Sequence, residues 1–546
     1  MKFRIIKWCY GDASGIEPNG ADFLLEEDNW NDYGYKTSYH LYATGLITPS
    51  GKNETVGFIR IMYTAQQYND IFMLRNLFGE NIFESLPHGF VSLSSVVGFW
   101  RNLERILSND QLRELVNALH IIVSENDESY PLVKDLECFK NSLLRDTTID
   151  NYGLKLAGEI IANQGRHYDL INQPMSFKLP NCDKPMELNF SSGDKRLDRI
   201  DFIPSRLLAF IGNNGVGKST LLYRLIRLLY TSPTERNLYK DRLGEVIPGD
   251  VGFSRLFMVS YSSLDNFTLP GTSANEVKNI LSGIKDGYGR IVFCGLRDVQ
   301  AEYQSMIEFA KINETGEGNN TFIYIDTEHV TEITLKSVKK LAIEFKDSLS
   351  EIIIDETKRN FWNNKIKGFA DFNAGFNDYI FHHRWYNYDS LPDKFLKEST
   401  GIKFILHSLA IIINKIEWNS IILFDEPENH LQPPLLSKLL TVLRSIAHSN
   451  ASLIMVATHS PVILQETFRK NIIIVQREGD TFSFRNPEIE TYGENIGAIT
   501  NEVFGLNCSI TTYLKAADRL YNENLIDATN PANVGSEIRA YLAGKL

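Results

Sequence analysis

Residues 207–229 read LLAFIGNNGVGKSTLLYRLIRLL, and this stretch decides the fold. The apolar run at 207–211 predicts a buried strand, and leucines at helical spacing after residue 220 predict a helix. Between them, residues 212–219 fill the phosphate-binding pattern GxxxxGK[ST]. Glycines let backbone N–H groups wrap a phosphate, and the N-terminus of the following helix adds the positive end of its dipole. This order predicts a nucleotide site, with a glycine-rich turn before an amphipathic helix as the purely structural alternative.

The chemistry of the loop gives each of its polar side chains an expected role. Lys218 is expected to reach the β and γ phosphates of ATP, and the Ser219 hydroxyl is expected to ligate Mg²⁺. The backbone of the loop is expected to hold the remaining phosphate oxygens. The predicted nucleotide-binding residues are Gly212, Asn213, Asn214, Gly215, Val216, Gly217, Lys218, Ser219 and Thr220.

A second motif, ILFDEPENHLQPP, stands at residues 422–434, about two hundred residues further along. The run SIILF before it predicts another buried strand. Asp425 at its end is expected to hold Mg²⁺ through water, and Glu426 to polarise the attacking water as a general base. A metal cluster built from Glu428 and His430 is the competing interpretation. Otherwise residues 428–432 are expected to form a loop that shapes a subunit contact.

A third apolar run, residues 453–457, is followed by His459 in the sequence ATHSP. A histidine at this place can sense or stabilise the γ-phosphate, and a structural capping histidine is the alternative. Upstream, Ser399, Thr400 and Gly401 open an apolar helix that continues to about residue 416. On its own, this start indicates only a helix cap.

Together, GNNGVGKST, ESTGIK, ILFDEPENHLQPP and ATHSP resemble the ABC/SMC-like ATPase superfamily, in its overcoming-lysogenization-defect and RecF-like branch of AAA-type ATPases. The resemblance implies an α/β fold: an ABC-type P-loop ATPase head, with a mixed sheet flanked by helices, plus an N-terminal α+β extension and a helical insertion. It also implies that Ser399, Thr400 and Gly401 close over the γ-phosphate of the opposite subunit. A homodimer or higher oligomer would then complete the site.

More narrowly, WNDYGYKTSYHLYATG (30–45), VGFIRIMYT (56–64) and VSYSSLDNF (259–267) resemble the PtuA family. These are the ATPases of Septu systems and of the retrons that carry PtuA. The resemblance implies an anti-phage defence subunit that regulates an HNH nuclease of the PtuB type. In retrons it implies a reverse transcriptase with its RNA–DNA product. A RecF- or SMC-like DNA-repair ATPase that binds DNA directly is the alternative, and a transporter subunit is a third class.

Three departures from the superfamily pattern bear on turnover. Glu398 and Ile402 stand where leucine and glutamine or glutamate are usual in the signature loop. The usual Q-loop glutamine is absent from SYSSLDNF, where Asp265 or a nearby serine could assist Mg²⁺. Gln432 replaces the usual histidine or aspartate of the contact loop. These departures predict slow hydrolysis, with ATP acting chiefly as a clamp that closes a dimer.

Composition is that of a soluble globular protein, with 43% hydrophobic and 23% charged residues in 546. No apolar run approaches the roughly 18 residues of a membrane span, and no secretion signal is visible. The five cysteines lie far apart without a CxxC pair, which favours a reducing cytoplasm over a zinc or disulfide framework. The net charge of −12 argues against coating nucleic acid over the whole surface, while a local basic groove stays open.

Periodicity divides the chain into expected segments. A β-hairpin is predicted from KTSYHLYATG and TVGFIRIMYT, and FHHRWYNY (381–388) is a candidate nucleic-acid surface or, alternatively, a solvated and core-packing cluster. No HNH or Toprim pattern is visible, so any cutting of nucleic acid is expected from a partner. The segments are an N-terminal α+β extension (1–170), the first half of the ATPase core (171–275), an inserted, mainly helical lobe (276–390), the second half of the core (391–485) and a C-terminal helical tail (486–546).

Overall fold

The structure is a computed structural model of the chain. It describes residues 1–7, 16–27, 35–48, 51, 53–68, 73–79, 81–144, 149, 152–162, 170–180, 182, 184–230, 239–247, 251, 253–271, 277, 280–281, 283–284, 290–313, 329–383, 388–479, 481–504, 512–523 and 535–543.

The described residues form sixteen strands and sixteen α-helices, numbered here in chain order. The strands are β1 (Phe3–Ile6), β2 (Phe23–Glu27), β3 (Ser38–Ala43), β4 (Glu54–Tyr63), β5 (Ile82–Phe83), β6 (Phe90–Leu93), β7 (Ser176–Lys178), β8 (Met186–Glu187), β9 (Leu207–Ile211), β10 (Glu245–Ile247), β11 (Leu256–Ser260), β12 (Ile291–Gly295), β13 (Ile421–Asp425), β14 (Leu453–Thr458), β15 (Ile472–Glu478) and β16 (Thr481–Arg485). The helices are α1 (Met73–Phe78), α2 (Val97–Ile106), α3 (Asn109–Ala118), α4 (Tyr130–Val133), α5 (Tyr152–Ile161), α6 (Lys218–Tyr230), α7 (Val299–Asn313), α8 (Val338–Ile354), α9 (Glu356–Ala370), α10 (Leu391–Lys397), α11 (Thr400–Lys415), α12 (Pro433–Ser449), α13 (Pro461–Gln465), α14 (Ile496–Phe504), α15 (Thr512–Asn522) and α16 (Ser536–Ala543).

The N-terminal extension is built on a six-stranded sheet in the order β5-β1-β2-β3-β4-β6. The predicted hairpin is confirmed, since β3 pairs antiparallel with β4. Helices α2, α3 and α5 cover the sheet because they are amphipathic, and their apolar faces meet the strands in one core around Phe99, Trp100 and Leu103. This part of the chain is therefore an α+β unit with its own hydrophobic core.

The ATPase head is built on a seven-stranded mixed sheet in the order β12-β11-β13-β14-β9-β15-β16. All neighbours are parallel except the edge pair β15–β16, which is antiparallel. A smaller antiparallel sheet has the order β10-β7-β8, and its strands flank β9 in the sequence. The chain thus has the α/β fold of an ABC-type ATPase head, extended at its N-terminus and interrupted by a helical insertion.

Both faces of the seven-stranded sheet are buried, which explains why its central strands are almost wholly apolar. Along β9, Leu207, Ala209 and Ile211 face one core, while Leu208 and Phe210 face the other. Helices α8, α9, α11 and α12 pack on the first face, and α6 packs on the second. Two cores on opposite faces hold the carboxyl ends of the parallel strands at one edge, where the motif residues gather.

The insertion packs directly on the head. Phe345 of α8 and Trp362 of α9 belong to the same core as strands β11 and β13. The described helices of the insertion therefore form a packed lobe rather than an extended arm. Strand β12, within the 276–390 range, joins the sheet beside β11, so part of that range serves the head itself. Among the described residues, no helix is long and apolar enough to cross a bilayer.

Candidate nucleotide site

The predicted motifs converge at the carboxyl edge of the parallel sheet. The phosphate loop follows β9, Asp425 ends β13, and His459 follows β14. Strand pairing puts Asp425 beside Ser260 of β11 on one side and beside Ala457 of β14 on the other. Parallel strands bring their carboxyl ends to the same edge, so segments distant in sequence meet here. This edge is where ligands bind in open α/β sheets.

The phosphate loop has the conformation that its glycines permit. Gly215 and Gly217 have φ angles of +81° and +97°, in the left-handed region that only glycine adopts without strain. A Cβ on Gly217 would also lie 3.1 Å from the ring of Phe482, so a larger residue would crowd the strand β16. The glycines therefore allow the backbone to turn around a phosphate-sized group.

The Lys218 ammonium lies inside this loop. Its Nζ donates to the carbonyl oxygens of Gly212 and Asn213, each at 3.0 Å. Burial lowers the pKa of Lys218, while the nearby carboxylates of Glu426 and Asp425 act in the opposite direction. A buried cation held only by carbonyl oxygens on one side is placed to receive phosphate oxygens on the other.

The Ser219 hydroxyl and the Asp425 carboxylate are in contact. Ser219 Oγ donates to Asp425 Oδ1 at 2.9 Å, and the Tyr223 hydroxyl donates to Oδ2 at 2.6 Å. Burial raises the pKa of Asp425 to about 7, and the neighbouring Asp265 carboxylate adds to the rise. A hydroxyl beside a buried carboxylate is the oxygen donor set that suits Mg²⁺, and a cation there would favour the ionised carboxylate. These residues therefore fit the implied Mg²⁺.

Asp265 lies in the same cluster. The sequence left open whether Asp265 or a nearby serine assists Mg²⁺. Its carboxylate accepts a hydrogen bond from the Ser260 hydroxyl at the end of β11 and contacts the Tyr223 hydroxyl. Burial raises the pKa of Asp265, and the charge of Glu426 adds to that rise. The segment SYSSLDNF thus places a carboxylate, rather than a glutamine amide, beside the Ser219–Asp425 pair.

Glu426 has an unusual backbone conformation. Its φ and ψ are 45° and 57°, in the left-handed region, and its N–H donates to the Ala457 carbonyl at 2.9 Å. A non-glycine residue held there costs roughly 1–3 kcal/mol, and such strain concentrates at functional sites. The carboxylate is 31% exposed and accepts from Asn429 Nδ2 at 2.8 Å. One oxygen therefore has a protein partner while the side chain still reaches solvent.

His459 faces the same carboxylates. Its Nδ1 lies 3.7 Å from Glu426 Oε1 and 3.3 Å from Glu428 Oε1, and its side chain is 41% exposed. Glu428 is turned inward, with its side chain only 8% exposed. It accepts hydrogen bonds from the Thr458 hydroxyl and the His459 backbone N–H, at 2.6 and 2.7 Å. The loop after Asp425 is thereby tied to the loop that carries the histidine.

The competing metal cluster at Glu428 and His430 is wrong for the part of the chain that is described. Within it, no group of three or more histidine, cysteine or acidic side chains is arranged to hold a metal. The His430 ring instead packs near the rings of Phe404 and Tyr261, with centroids 5.4 and 6.2 Å away. Glu428 is taken up by the histidine loop, so the two side chains serve different neighbours.

The signature residues lie at the start of α11. Ser399 caps the helix, its Oγ accepting from the Ile402 N–H at 3.4 Å. Ser399 and Thr400 are exposed, whereas Gly401 is half-buried, and a Cβ on it would lie 3.0 Å from the His430 carbonyl oxygen. Glu398 accepts from the Tyr379 hydroxyl at 3.1 Å. The serine and threonine therefore face outward at the helix N-terminus, and the glycine seats that helix on the loop after Asp425.

Sequence analysis did not predict that Tyr223 belongs to the site. It also did not predict the contact of Glu428 with the loop that carries His459. Tyr223 stands four residues after Ser219 on α6, and that spacing puts both side chains on one helix face. This was an available signal, although a tyrosine within an apolar helix is usually part of the core. Glu428 gave no such signal, because its direction depends on the left-handed turn at Glu426.

The aromatic and basic candidate surface is described only in part. Residues 384–387, in the middle of FHHRWYNY, lie outside the described residues. The neighbouring stretch IDETKRNFWNNKIKGF largely forms α9, whose Trp362, Ile366 and Phe369 are buried. That segment serves as a packing helix of the insertion.

Comparison with known proteins supports the nucleotide assignment. Residues 351–465 match the family described as "AAA domain, putative AbiEii toxin, Type IV TA system", a range that includes the signature, acidic and histidine motifs. Protein ea59 of Escherichia phage lambda is 26% identical over 526 residues, covering 94% of this chain and 91% of the relative. The similarity to this relative thus extends over nearly the whole chain.

A solved structure titled "An inward-facing conformation of a putative metal-chelate type ABC transporter" aligns with 59% of this chain and 98% of its own. The identity is 13% and the TM-score is 0.22, so this similarity supports no conclusion about the chain. The family match covers residues 351–465, and the phosphate loop after β9 lies at the same sheet edge as the motifs within that range.

Proposed function

We propose that this chain binds and hydrolyses ATP with Mg²⁺ and that ATP closes two copies of it against each other. The observation that carries the proposal is the contact of Ser219 with Asp425, which joins the phosphate loop to the end of β13. A cation beside this pair would favour the ionised form of the buried Asp425, and phosphate oxygens in the adjacent loop would favour the charged form of Lys218. Magnesium with a nucleoside triphosphate supplies both at once.

In this proposal the residues have separate tasks. Lys218 and the loop backbone bind the β and γ phosphates, while Ser219 and Asp425 hold Mg²⁺, which offsets charge on the phosphate oxygens. Glu426 takes a proton from the attacking water, and His459 contacts the γ-phosphate. The support for these tasks is proximity: Asp425 ends β13, Glu426 and His459 follow β13 and β14, and Lys218 and Ser219 open the helix after the neighbouring strand β9.

The second copy enters through the signature helix. Ser399 and Thr400 are exposed at the N-terminus of a 16-residue helix, where backbone N–H groups and the helix dipole favour an anion. We assign Ser399 and Thr400 to the γ-phosphate bound by the partner copy. Gly401 lets the start of the helix pack closely on the loop after Asp425 and so sets the position of both side chains. A homodimer or a higher oligomer then contains complete sites, and each copy alone contains a half-site.

We further propose that this ATPase is the PtuA-like subunit of an anti-phage defence system that regulates an associated HNH nuclease. The wording at 30–45, 56–64 and 259–267 supports this assignment. In a retron the complex would also contain a reverse transcriptase with RNA–DNA. A RecF- or SMC-like ATPase that binds DNA directly is the alternative outcome. We place the protein in the cytoplasm, in keeping with its scattered cysteines.

The nucleotide proposal is tested with Lys218→Ala in the full chain, measuring ATP binding by equilibrium dialysis and phosphate release. Lys240→Ala is the matched control, because that lysine is mostly exposed and pairs with Glu245 outside the site. We expect Lys218→Ala to lose ATP binding and turnover while Lys240→Ala keeps both. Unchanged ATP affinity in Lys218→Ala would show that the loop has another purpose.

The partner proposal is tested by co-purification from the native locus, followed by mass spectrometry of bound protein and sequencing of bound nucleic acid. We expect an HNH nuclease to co-purify in a defined ratio with the ATPase. Recovery of duplex DNA bound directly, without any nuclease, would replace the defence assignment with the DNA-repair alternative.

A further inference from the structure

Glu428 is a buried carboxylate that the nucleotide mechanism does not use. Its side chain is 8% exposed, and Oε1 accepts from both the Thr458 hydroxyl and the His459 N–H. The other oxygen, Oε2, is buried with no hydrogen-bond partner in the described chain. Burial of a carboxylate is costly unless its charge has a compensating partner. The chain therefore keeps this charge inside for a reason other than packing.

The backbone around Glu428 is built to aim it at the histidine loop. Glu426 is in the left-handed conformation, and Pro427–His430 then form one 3₁₀ turn. This turn directs Glu428 back across the sheet edge, from the end of β13 to the end of β14. The two loops follow adjacent parallel strands, so a single side chain can span them.

The His459 imidazole lies directly beside this carboxylate. Its Nδ1 lies 3.3 Å from Glu428 Oε1 and 3.7 Å from Glu426 Oε1, and Nδ1 has no geometrically formed hydrogen bond. Two carboxylates on this side of the ring favour a proton on Nδ1. The opposite nitrogen, Nε2, is then the one left to face a ligand.

We propose that Glu428 is a positioning residue: it holds the His459 backbone and Nδ1, so that Nε2 is presented to the γ-phosphate of ATP. The inference rests on the proposed function and goes beyond it, since that function gives Glu428 no task. Glu428 also connects His459 to Glu426, which stands two residues before Glu428 in the sequence. Hydrolysis and phosphate sensing are thereby coupled through one loop.

A merely structural role would give a different result from a positioning role. If Glu428 only stabilised the fold, its removal would lower the unfolding temperature and leave the effect of a His459 substitution unchanged. If it acts through His459, the two substitutions are not additive in kcat. The double variant then separates the roles.

The experiment measures steady-state ATP hydrolysis by the full chain for Glu428→Ala, His459→Ala and the double variant. We expect each single substitution to lower kcat by about 100-fold, a loss typical of one misplaced transition-state contact, with KM nearly unchanged. The double variant should be no slower than His459→Ala. Multiplying losses would overturn the proposal, as would wild-type turnover in Glu428→Ala.

Two further variants guard this experiment. Glu428→Gln keeps an acceptor for Thr458 and the His459 N–H but removes the charge beside Nδ1, so we expect a smaller loss, about tenfold. Glu466→Ala is the matched control, because that carboxylate accepts from Ser437 and Arg444 away from the site. We expect Glu466→Ala to keep wild-type kcat. A loss in Glu466→Ala equal to that in Glu428→Ala would overturn the specific role.

A nucleotide-free readout distinguishes failure of this inference from failure of the proposed function. Nitrogen-15 NMR of the His459 ring, assigned with His459→Asn, reports which nitrogen carries the proton. We expect a protonated Nδ1 in the parent chain and a changed ring spectrum in Glu428→Gln. An identical spectrum would overturn the positioning role, whereas absent ATP turnover in the parent with a changed spectrum would refute only the hydrolysis proposal.

Discussion

The Ser219 hydroxyl lies 2.9 Å from Oδ1 of Asp425, although 206 residues separate the two in sequence. The contact is made because Ser219 stands in the first turn of α6, after β9, while Asp425 ends β13, two places away in the sheet. Strand β14 between them carries His459 just beyond its end. The parallel arrangement of these strands therefore assembles the site from segments spread over half the chain.

Tyr223 fixes the orientation of Asp425, so Tyr223→Phe should weaken Mg²⁺ binding. The substitution removes the 2.6 Å hydrogen bond to Oδ2 but keeps the ring, which stacks on Phe267 with centroids 3.6 Å apart. We expect Mg²⁺ affinity to fall about tenfold, equivalent to about 1.4 kcal/mol, since hydrogen bonds to charged groups are worth about that much. Isothermal titration with Mg²⁺ and a non-hydrolysable ATP analogue measures the change.

Tyr303→Phe is the matched control for that measurement. Its hydroxyl donates to the Pro270 carbonyl at 2.6 Å in the same core, away from the acidic residues. We expect this control to lower the unfolding temperature slightly and to leave Mg²⁺ affinity alone. Equal affinity in Tyr223→Phe and the parent chain would contradict the role given to the phenol.

The contribution of Asp425 to the stability of the nucleotide-free chain should decrease as pH rises from about 4 to about 7. Burial raises the pKa of Asp425 to about 7, from a usual value near 3.8. Because the folded chain holds this proton more tightly than the unfolded chain, the protonated form favours folding at low pH. That contribution is lost as pH rises through the folded pKa. Asp425→Asn removes it, so its unfolding temperature should fall less over this range.

Glu27 in the N-terminal sheet supplies a control, because its pKa is shifted in the same direction as that of Asp425. Burial raises its pKa to about 7 as well, against the opposing effect of Arg75. Glu27→Gln should therefore also flatten the pH profile but keep the stabilisation that Mg²⁺–ATP gives at pH 8, which Asp425→Asn should lose. Scanning calorimetry measures the unfolding temperature at each pH. Parallel profiles of unfolding temperature against pH for Asp425→Asn and the parent would refute the assignment of a protonated Asp425.

Ser399 is expected to have two separable roles, as a helix cap and as a phosphate contact of the partner copy. Ser399→Ala should cost about 1 kcal/mol of stability, because it removes the cap acceptor for the Ile402 N–H. Ser399→Asp keeps a good cap yet places a negative charge toward the partner's γ-phosphate. We expect Ser399→Asp to unfold at the parent's temperature and to lose ATP-dependent association, measured by sedimentation velocity. Normal association of this variant would remove Ser399 from the interface.

Local pattern predicted the chemistry of the site better than its connections. The strand, glycine loop and helix around Lys218 are explicit in sequence because each element obeys its own periodicity and the loop needs left-handed glycines. The β3–β4 hairpin of the N-terminal extension was predicted for the same reason. Each of these signals lies within a short window of the sequence.

The remaining features depend on contacts between distant segments. Strand β12 lies in the range expected to be a helical insertion, since a five-residue apolar strand resembles part of a buried helix. Asp265 joins Asp425 only because β11 lies beside β13. The direction of Glu428 follows from a left-handed residue, which no propensity for glutamate predicts. These features could not be predicted because they depend on the order of strands in the sheet and on the left-handed backbone of Glu426.

In the proposed assembly, ATP is held between the phosphate loop of one copy and the signature helix of another. Glu426→Gln tests this arrangement most directly, because the amide keeps the shape of the side chain and removes the general base, so bound ATP persists. Sedimentation velocity of this variant with Mg²⁺–ATP should show a dimer or larger assembly, while nucleotide-free protein and Glu426→Gln/Lys218→Ala should not associate further. A variant that binds ATP yet associates no more than the parent without nucleotide would contradict the claim.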